Sequence, residues 1–268
     1  MRFRPGVVLG LVLACLAVLP AGRAWAAAEV HRLNLMLAGI PTSVDGSDFN
    51  DAIDRYNHTK LDPIGYERLK SLSFAWQFDG ELRYFVRPNF AITAGVSQMR
   101  SSERREYLPS ITTAVNLHTE ILTAPVHVGA AYYLQPYNQG DFQARAYFGG
   151  GMLQYTHSRV RFDQLLVMAE YDSALVAYTG GSQRMSLTQD ATGYYGEFGA
   201  HMFFASRFSA LVAVQYRSGV LRGLRLEQAT LNGQPTGTPY QEVTNPDGSE
   251  FQVDMGGIGV KMAVGIGF

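Results

Sequence analysis

Between Gly257 and Phe268 the chain alternates without a break. Ile258, Val260, Met262, Val264, Ile266 and Phe268 take one parity; Gly257, Gly259, Lys261, Ala263, Gly265 and Gly267 take the other. Successive side chains of a strand point to opposite faces, so this is a ribbon with one wholly apolar face and one face of small residues carrying a single cation. Leu72 to Tyr84 repeats the pattern more sharply. Leu72, Phe74, Trp76, Phe78, Gly80, Leu82 and Tyr84 share one face; Ser73, Ala75, Gln77, Asp79, Glu81 and Arg83 share the other. A soluble sheet would turn the apolar set inward and wet the charged set. A barrel in a membrane would do the reverse, and one ribbon alone does not choose between them.

The remaining chain supplies more such ribbons. Arg32 to Ala38 carries Leu33, Leu35 and Leu37 on one face, and Phe90 to Met99 returns after the turn Arg87-Pro88-Asn89. Thr112 to Leu134, Phe142 to Val160, Gly193 to Phe204 and Phe208 to Val220 follow. In the fourth ribbon the apolar set changes parity between Val115 and Leu117 above and Leu122 to Leu134 below, which predicts either a bulge near Ile121 or pairing that projects above the membrane. The charged run Arg100 to Glu106 reads as a solvated loop. Phe49, Ala52, Ile53 and Tyr56 stand at helical spacing, so the segment between the first two ribbons holds a short helix capped by Ser47 or Asp48.

Composition narrows the setting. The chain has 268 residues and a net charge of −1, which makes no electrostatic case for a nucleic-acid partner. Residues 1–26 read as a secretory signal: Arg2 and Arg4, an apolar run from Val7 to Leu19, and the small-x-small site Ala24-Trp25-Ala26. The single cysteine, Cys15, lies within it, so residues 27–268 hold no disulfide. No apolar run is long enough for a membrane-spanning helix.

Connections between the ribbons alternate long and short. With about eight antiparallel strands, every short turn falls on one side and every long loop on the other. Tyr84, Phe85, Phe90, Tyr132, Tyr133, Phe142, Phe204, Phe208 and Phe268 flank the short-turn side, where an interfacial belt of aromatics belongs. On these features, with Val264, Ile266 and Phe268 ending an alternating ribbon, the chain resembles the small bacterial outer-membrane barrels of the OmpA, OmpW and OmpX type. The expected fold is therefore all-β: a closed, antiparallel, eight-stranded, up-and-down transmembrane barrel over residues 27–268, with long extracellular loops and a short helix in the first. The resemblance implies a monomeric or weakly associated barrel in the outer membrane, delivered by a cleaved signal peptide. Its partners would be outer-membrane lipid, lipopolysaccharide and the barrel-assembly machinery, which would read Val264, Ile266 and Phe268 as an insertion signal.

Turning the apolar faces outward puts charge inside. Asp79, Glu81, Arg83, Glu197, Arg217 and Lys261 are predicted to face the lumen, with Arg32 and Arg145 near the periplasmic mouth. Buried charges must pair, so the expected network joins Glu81, Arg83 and Lys261, and separately Glu197 with Arg217. An eight-stranded interior is about wide enough for its own side chains. The predicted role is structural or surface-interacting with a plugged lumen; the alternatives are a narrow channel for small hydrophobic compounds and a lipid-modifying barrel enzyme. The apolar residues Leu165 to Met168, Leu175, Val176 and Tyr178 are expected to pack as a hairpin continuing above the membrane, or, in the channel reading, to form its mouth. No cofactor and no catalytic residues are expected. His118, Glu120 and His157 form a weak candidate metal site. His157-Ser158 resembles the His/Ser chemistry of lipid-A-deacylating barrels, but neighbours on a strand point opposite ways. His201 is expected to be an inward structural residue.

Overall fold

Ribbons with one greasy and one charged face are satisfied when they close on themselves, because closure leaves no unpaired edge. The computed structural model describes residues 31–110, 113–172, 175–204 and 207–268; the predicted signal segment lies outside them. The wall is built from β1 (Leu33–Ser43), β2 (Phe74–Arg87), β3 (Phe90–Ser110), β4 (Thr113–Tyr133), then, past the short β5 (Tyr137–Gln139), β6 (Phe142–Asp172). Next come β7 (Leu175–Thr188), β8 (Ala191–Phe204), β9 (Phe208–Leu221), β10 (Arg225–Leu231), β11 (Gln234–Pro235), β12 (Val253–Asp254) and β13 (Gly257–Gly267). The ring runs β1-β2-β3-β4-β6-β8-β9-β13, every pair antiparallel, and β13 returns to β1 with Leu37 opposite Val264. It is a closed eight-stranded antiparallel barrel.

In the lower half the faces sort as the alternation requires. Leu37, Phe78, Val96, Phe198, Ile258, Val264 and Phe268 are outward and exposed, and Asp79, Glu81, Arg83 and Lys261 are inward and buried. Phe85 and Tyr133 depart from the expected aromatic belt. Both point inward and are buried, with ring centroids 5.0 Å apart, because they have the inward parity of β2 and β4.

Above this lower half the wall continues. The charged run Arg100 to Glu106 is strand, not loop: β3 pairs with β4 through Tyr107 opposite Val115 and, past a register shift, to Ser110 opposite Thr113. Upper β6 leaves β8 and pairs with β7, with Arg159 opposite Thr188 and Asp172 opposite Leu175, and β7 pairs with β10. The Leu165 to Tyr178 run therefore lies in the β6–β7 hairpin; Leu165 is exposed, and the side chains from Leu166 to Gly181 lie outside the described residues.

Of the two causes expected for the parity change in the fourth ribbon, continued pairing of the upper strand is found and a bulge on β4 is not. β4 keeps one phase throughout: Leu117, Ile121, Thr123 and His127 all face inward and are buried. The chemistry changes instead, from polar-inside below to apolar-inside above. The bulge sits across from β4, on β6, where the register shifts between Leu122 opposite Arg159 and Ala124 opposite Thr156, and His157 takes φ 52°.

The apolar inner face of this extension packs around α1 (Ser47–Tyr56). Phe49 and Ile53 join Leu117, Ile121, Val160, Leu187, Leu221, Leu224, Phe251 and Met255 in one cluster. Leu72, expected on the lipid side, precedes β2 and is buried there too. Neither Ser47 nor Asp48 caps the helix; Gly46 precedes it at φ 73°, and the Asp48 carboxylate accepts bonds of 2.8 Å from Asn245 Nδ2 and the Gln252 N–H. The mouth of the barrel is filled by a small hydrophobic core.

Candidate functional site

The lumen below that core is built in tiers. Nearest the short turns, Phe85, Tyr133, Tyr147 and Phe203 gather with Met36, Ala131 and Leu211. Above them lies an ion cluster. Arg83 donates through Nε to Glu81, through Nη2 to Glu197 Oε1 at 2.5 Å and through Nη1 to the Tyr133 hydroxyl at 2.8 Å. Its guanidinium carbon lies 4.7 Å from the centroid of the Tyr147 ring. Lys261 Nζ lies 2.7 Å from Glu81, 3.3 Å from Asp79 and 3.4 Å from Glu197. Two cations thus serve three carboxylates on three strands, β2, β8 and β13, with no side chain of the five more than 2% exposed. Burial of this degree costs several kcal/mol per ion unless geometry and hydrogen bonds offset it, and each of the five groups here has an opposite charge within 3.4 Å.

Arg217 stands apart from Glu197. It donates to Gln77 Oε1 at 2.8 Å and to the carbonyls of Ser43 and Met255 at 3.0 and 3.2 Å. Glu197 is instead taken by Arg83 and Lys261, which reach it across the lumen. Arg145 donates to Gln143 at 2.7 Å and to the carbonyl of Pro88, at the short-turn end. Arg32 is exposed just before β1, and its carbonyl accepts from the Phe85 N–H at 2.8 Å.

His127 escaped the sequence reading, although its odd parity on β4 was a sufficient signal. Its Nε2 is 3.4 Å from Asp79 Oδ1, its ring sits 5.4 Å from that of Tyr195, and a Cβ on Gly95 would come within 2.2 Å of it. Tyr155 and Tyr195 use the same device. A Cβ on Gly219 would meet Tyr155 Cε2 at 2.3 Å, and one on Gly129 would meet the Tyr195 hydroxyl at 2.5 Å. Glycine on the inner wall makes room for an aromatic ring lying across it.

The weak metal candidates are not assembled. Glu120 pairs with Arg100 at 2.6 Å and Arg161 at 3.7 Å, His118 faces Asp163 at 3.8 Å, and His157 lies further down β6. Among the described residues, Asp79, Glu81 and His127 are a cluster with metal-ligating atoms in reach of one another, but Lys261 already lies between the two carboxylates. His157 and Ser158 form no dyad: Ser158 is buried against Thr123 at 2.8 Å, while the exposed His157 has its backbone N–H on Asp190. His201 is fully buried, 3.0 Å from the Tyr133 hydroxyl.

The family model described as outer membrane protein beta-barrel domain matches residues 11–256. Among solved structures, the chain is similar to the N-terminal β-barrel domain of Pseudomonas aeruginosa OprF, at 10% identity over 90% of this chain and 100% of that one, with a TM-score of 0.31. It is also similar to Ail, the attachment invasion locus protein of Yersinia pestis, at 10% identity over 89% and 98% with a TM-score of 0.29. The outer-membrane protease OmpT of Escherichia coli shows 8% identity over 91% and 99%, with a TM-score of 0.27. No curated protein matches the sequence.

Proposed function

Because the chain belongs to the outer-membrane protein β-barrel domain family, we propose that it is an integral outer-membrane barrel whose lumen is closed by its own side chains, with a structural or surface-interaction role. The observation that carries this reading is the stacked interior. An aromatic tier, an ion cluster and the hydrophobic core around α1 lie one above another, and the ions between them are shielded from water. An ion crossing this lumen would have to break Arg83 and Lys261 from their carboxylates and displace α1 as well.

In this reading residues 1–26 are a cleaved signal, the barrel is a monomer surrounded by outer-membrane lipid and lipopolysaccharide, and the assembly machinery receives β13 with Val264, Ile266 and Phe268 on its outward face. The test is reconstitution in planar bilayers together with fractionation of cell envelopes. The expected results are an electrically silent protein in the detergent-extracted outer-membrane fraction. Regular conductance steps at neutral pH would overturn the closed lumen, and uptake of a hydrophobic probe would favour the narrow-channel alternative.

A further inference from the structure

Three concavities on the outer wall run into one another. The lowest is a dent over Gly80, walled by Leu37, Phe78 and Val96. It shares Phe78 and Gln98 with a second, lined by Phe74, Trp76, Arg100 and Ser102. The second shares Arg100 and Ser102 with a third, of about 730 Å³, on the polar outer face of the extension, where Arg104, His118, Asp163 and Arg184 stand. Strand pairing produces the alignment: Gly80 is opposite Val96, Phe78 opposite Gln98 and Trp76 opposite Arg100. From Val96 to Arg104 the furrow follows β3 for roughly 27 Å at about 3.4 Å per residue.

Its two ends differ in chemistry. The lower end is aliphatic and aromatic, with Trp76 stacked on Phe78 at 6.3 Å and Phe74 edge-on to Trp76 at 5.8 Å. The upper end is cationic. Arg100, Arg104 and Arg184 line it with Asp163, three charges against one, and Arg100 is also paired with Glu120 at 2.6 Å. Arg104 makes no ion pair among the described residues and is exposed. The change from apolar to cationic falls at Arg100, some ten residues up β3 from Phe90, about the length a tilted strand needs to cross.

We propose that this furrow holds one phosphate-bearing lipid of the outer leaflet. An acyl chain lies along Gly80, Phe78 and Trp76, and a phosphate sits between Arg100 and Arg104. A guanidinium pairs with phosphate through two parallel hydrogen bonds, and a furrow that opens onto hydrocarbon along its lower half selects an amphiphile over a soluble anion. The proposal rests on the membrane placement proposed above, which envelope fractionation tests separately.

Beyond Trp25 in the predicted signal, Trp76 is the chain's only tryptophan, so its fluorescence reports on the furrow. The purified protein in mixed micelles is titrated with bisphosphorylated lipid A bearing brominated acyl chains, with the dephosphorylated lipid and with inorganic pyrophosphate, and Trp76→Phe fixes the background. The expected result is saturable quenching by the phosphorylated lipid, at least tenfold weaker for the dephosphorylated lipid and for Arg100→Gln/Arg104→Gln. Gly80→Leu fills the dent, where an added Cβ meets nothing nearer than 3.9 Å, and should weaken both lipids while leaving the fold intact. Equal quenching by the two lipids, competition by pyrophosphate as strong as by the lipid, or an unchanged Gly80→Leu variant would each overturn the proposal.

Discussion

Asn57 and Leu69 hold each other by both backbone groups of the leucine: the Leu69 N–H donates to Asn57 Oδ1 and Asn57 Nδ2 donates to the Leu69 carbonyl, each at 2.9 Å. Seven residues earlier Asn50 does the same for Leu72, at 2.8 and 3.2 Å. Two carboxamides, two helical turns apart, thus tie the helical segment to the chain returning into β2, and both leucines are buried in the mouth core.

Asn57→Ala should loosen this tie. It leaves the N–H and C=O of Leu69 without their partner in a buried place, a cost of about 1–3 kcal/mol. Amide exchange between Asn57 and Leu72 should accelerate while exchange in β13 stays unchanged. Uniform acceleration across the wall would show that the mouth core and the barrel open as one.

Lys261→Met should be among the most damaging substitutions in the lower half. It removes the ammonium that Asp79, Glu81 and Glu197 share, and breaking a buried pair from one side costs about 3–5 kcal/mol. The urea midpoint in detergent micelles should fall accordingly, and adding Glu197→Gln should recover part of the loss. A double variant that is no more stable than Lys261→Met would refute the sharing.

Gly219→Ala tests the glycine notches. The new methyl would overlap the Tyr155 ring, whose Cε2 is 2.3 Å from that position. Overpacking of this kind costs roughly 1–3 kcal/mol. Combined with Tyr155→Leu the two effects should fall short of their sum, since the substituted residues touch. Strict additivity in the unfolding free energies would mean that the ring does not rest on Gly219.

Glu227 supplies a pH dependence outside the membrane. Its carboxylate accepts from Arg159 at 2.8 and 2.9 Å and from Ser186 at 2.8 Å, and the Arg159 hydrogen bond, first among the causes, holds its pKa below the usual glutamate range. A depressed carboxyl stabilises fully above its unfolded pKa, near 4.3, and that stabilisation is lost as pH falls through the folded value. Protease cutting of the β7–β10 pair should therefore rise as pH drops below about 4.3, and Glu227→Gln should flatten that rise.

The sequence made the lower wall legible because hydrocarbon outside and charge inside leave every strand with a two-residue rhythm. The same rhythm assigned Asp79, Glu81, Arg83, Glu197 and Lys261 an inward parity. It could not assign partners: Arg83 and Lys261 reach Glu197 across the lumen, a relation set by barrel shear rather than by neighbouring register. Above the membrane both faces of Arg100 to Tyr107 carry polar residues, and the rhythm fades although the strand continues. Phe85 and Tyr133 were misplaced because aromatic residues near a turn suit an interfacial belt and a packed interior equally well.

Because β4 keeps its phase while its surroundings invert at about Thr123, one continuous ribbon belongs to two solvents. In the proposed placement its lower stretch turns an apolar outer face to lipid, while its upper stretch, with α1 tucked inside, walls a hydrophobic core. Detergent choice should therefore govern the survival of the first and chaotrope concentration that of the second, so that denaturation proceeds in two separable stages along strands that are never cut.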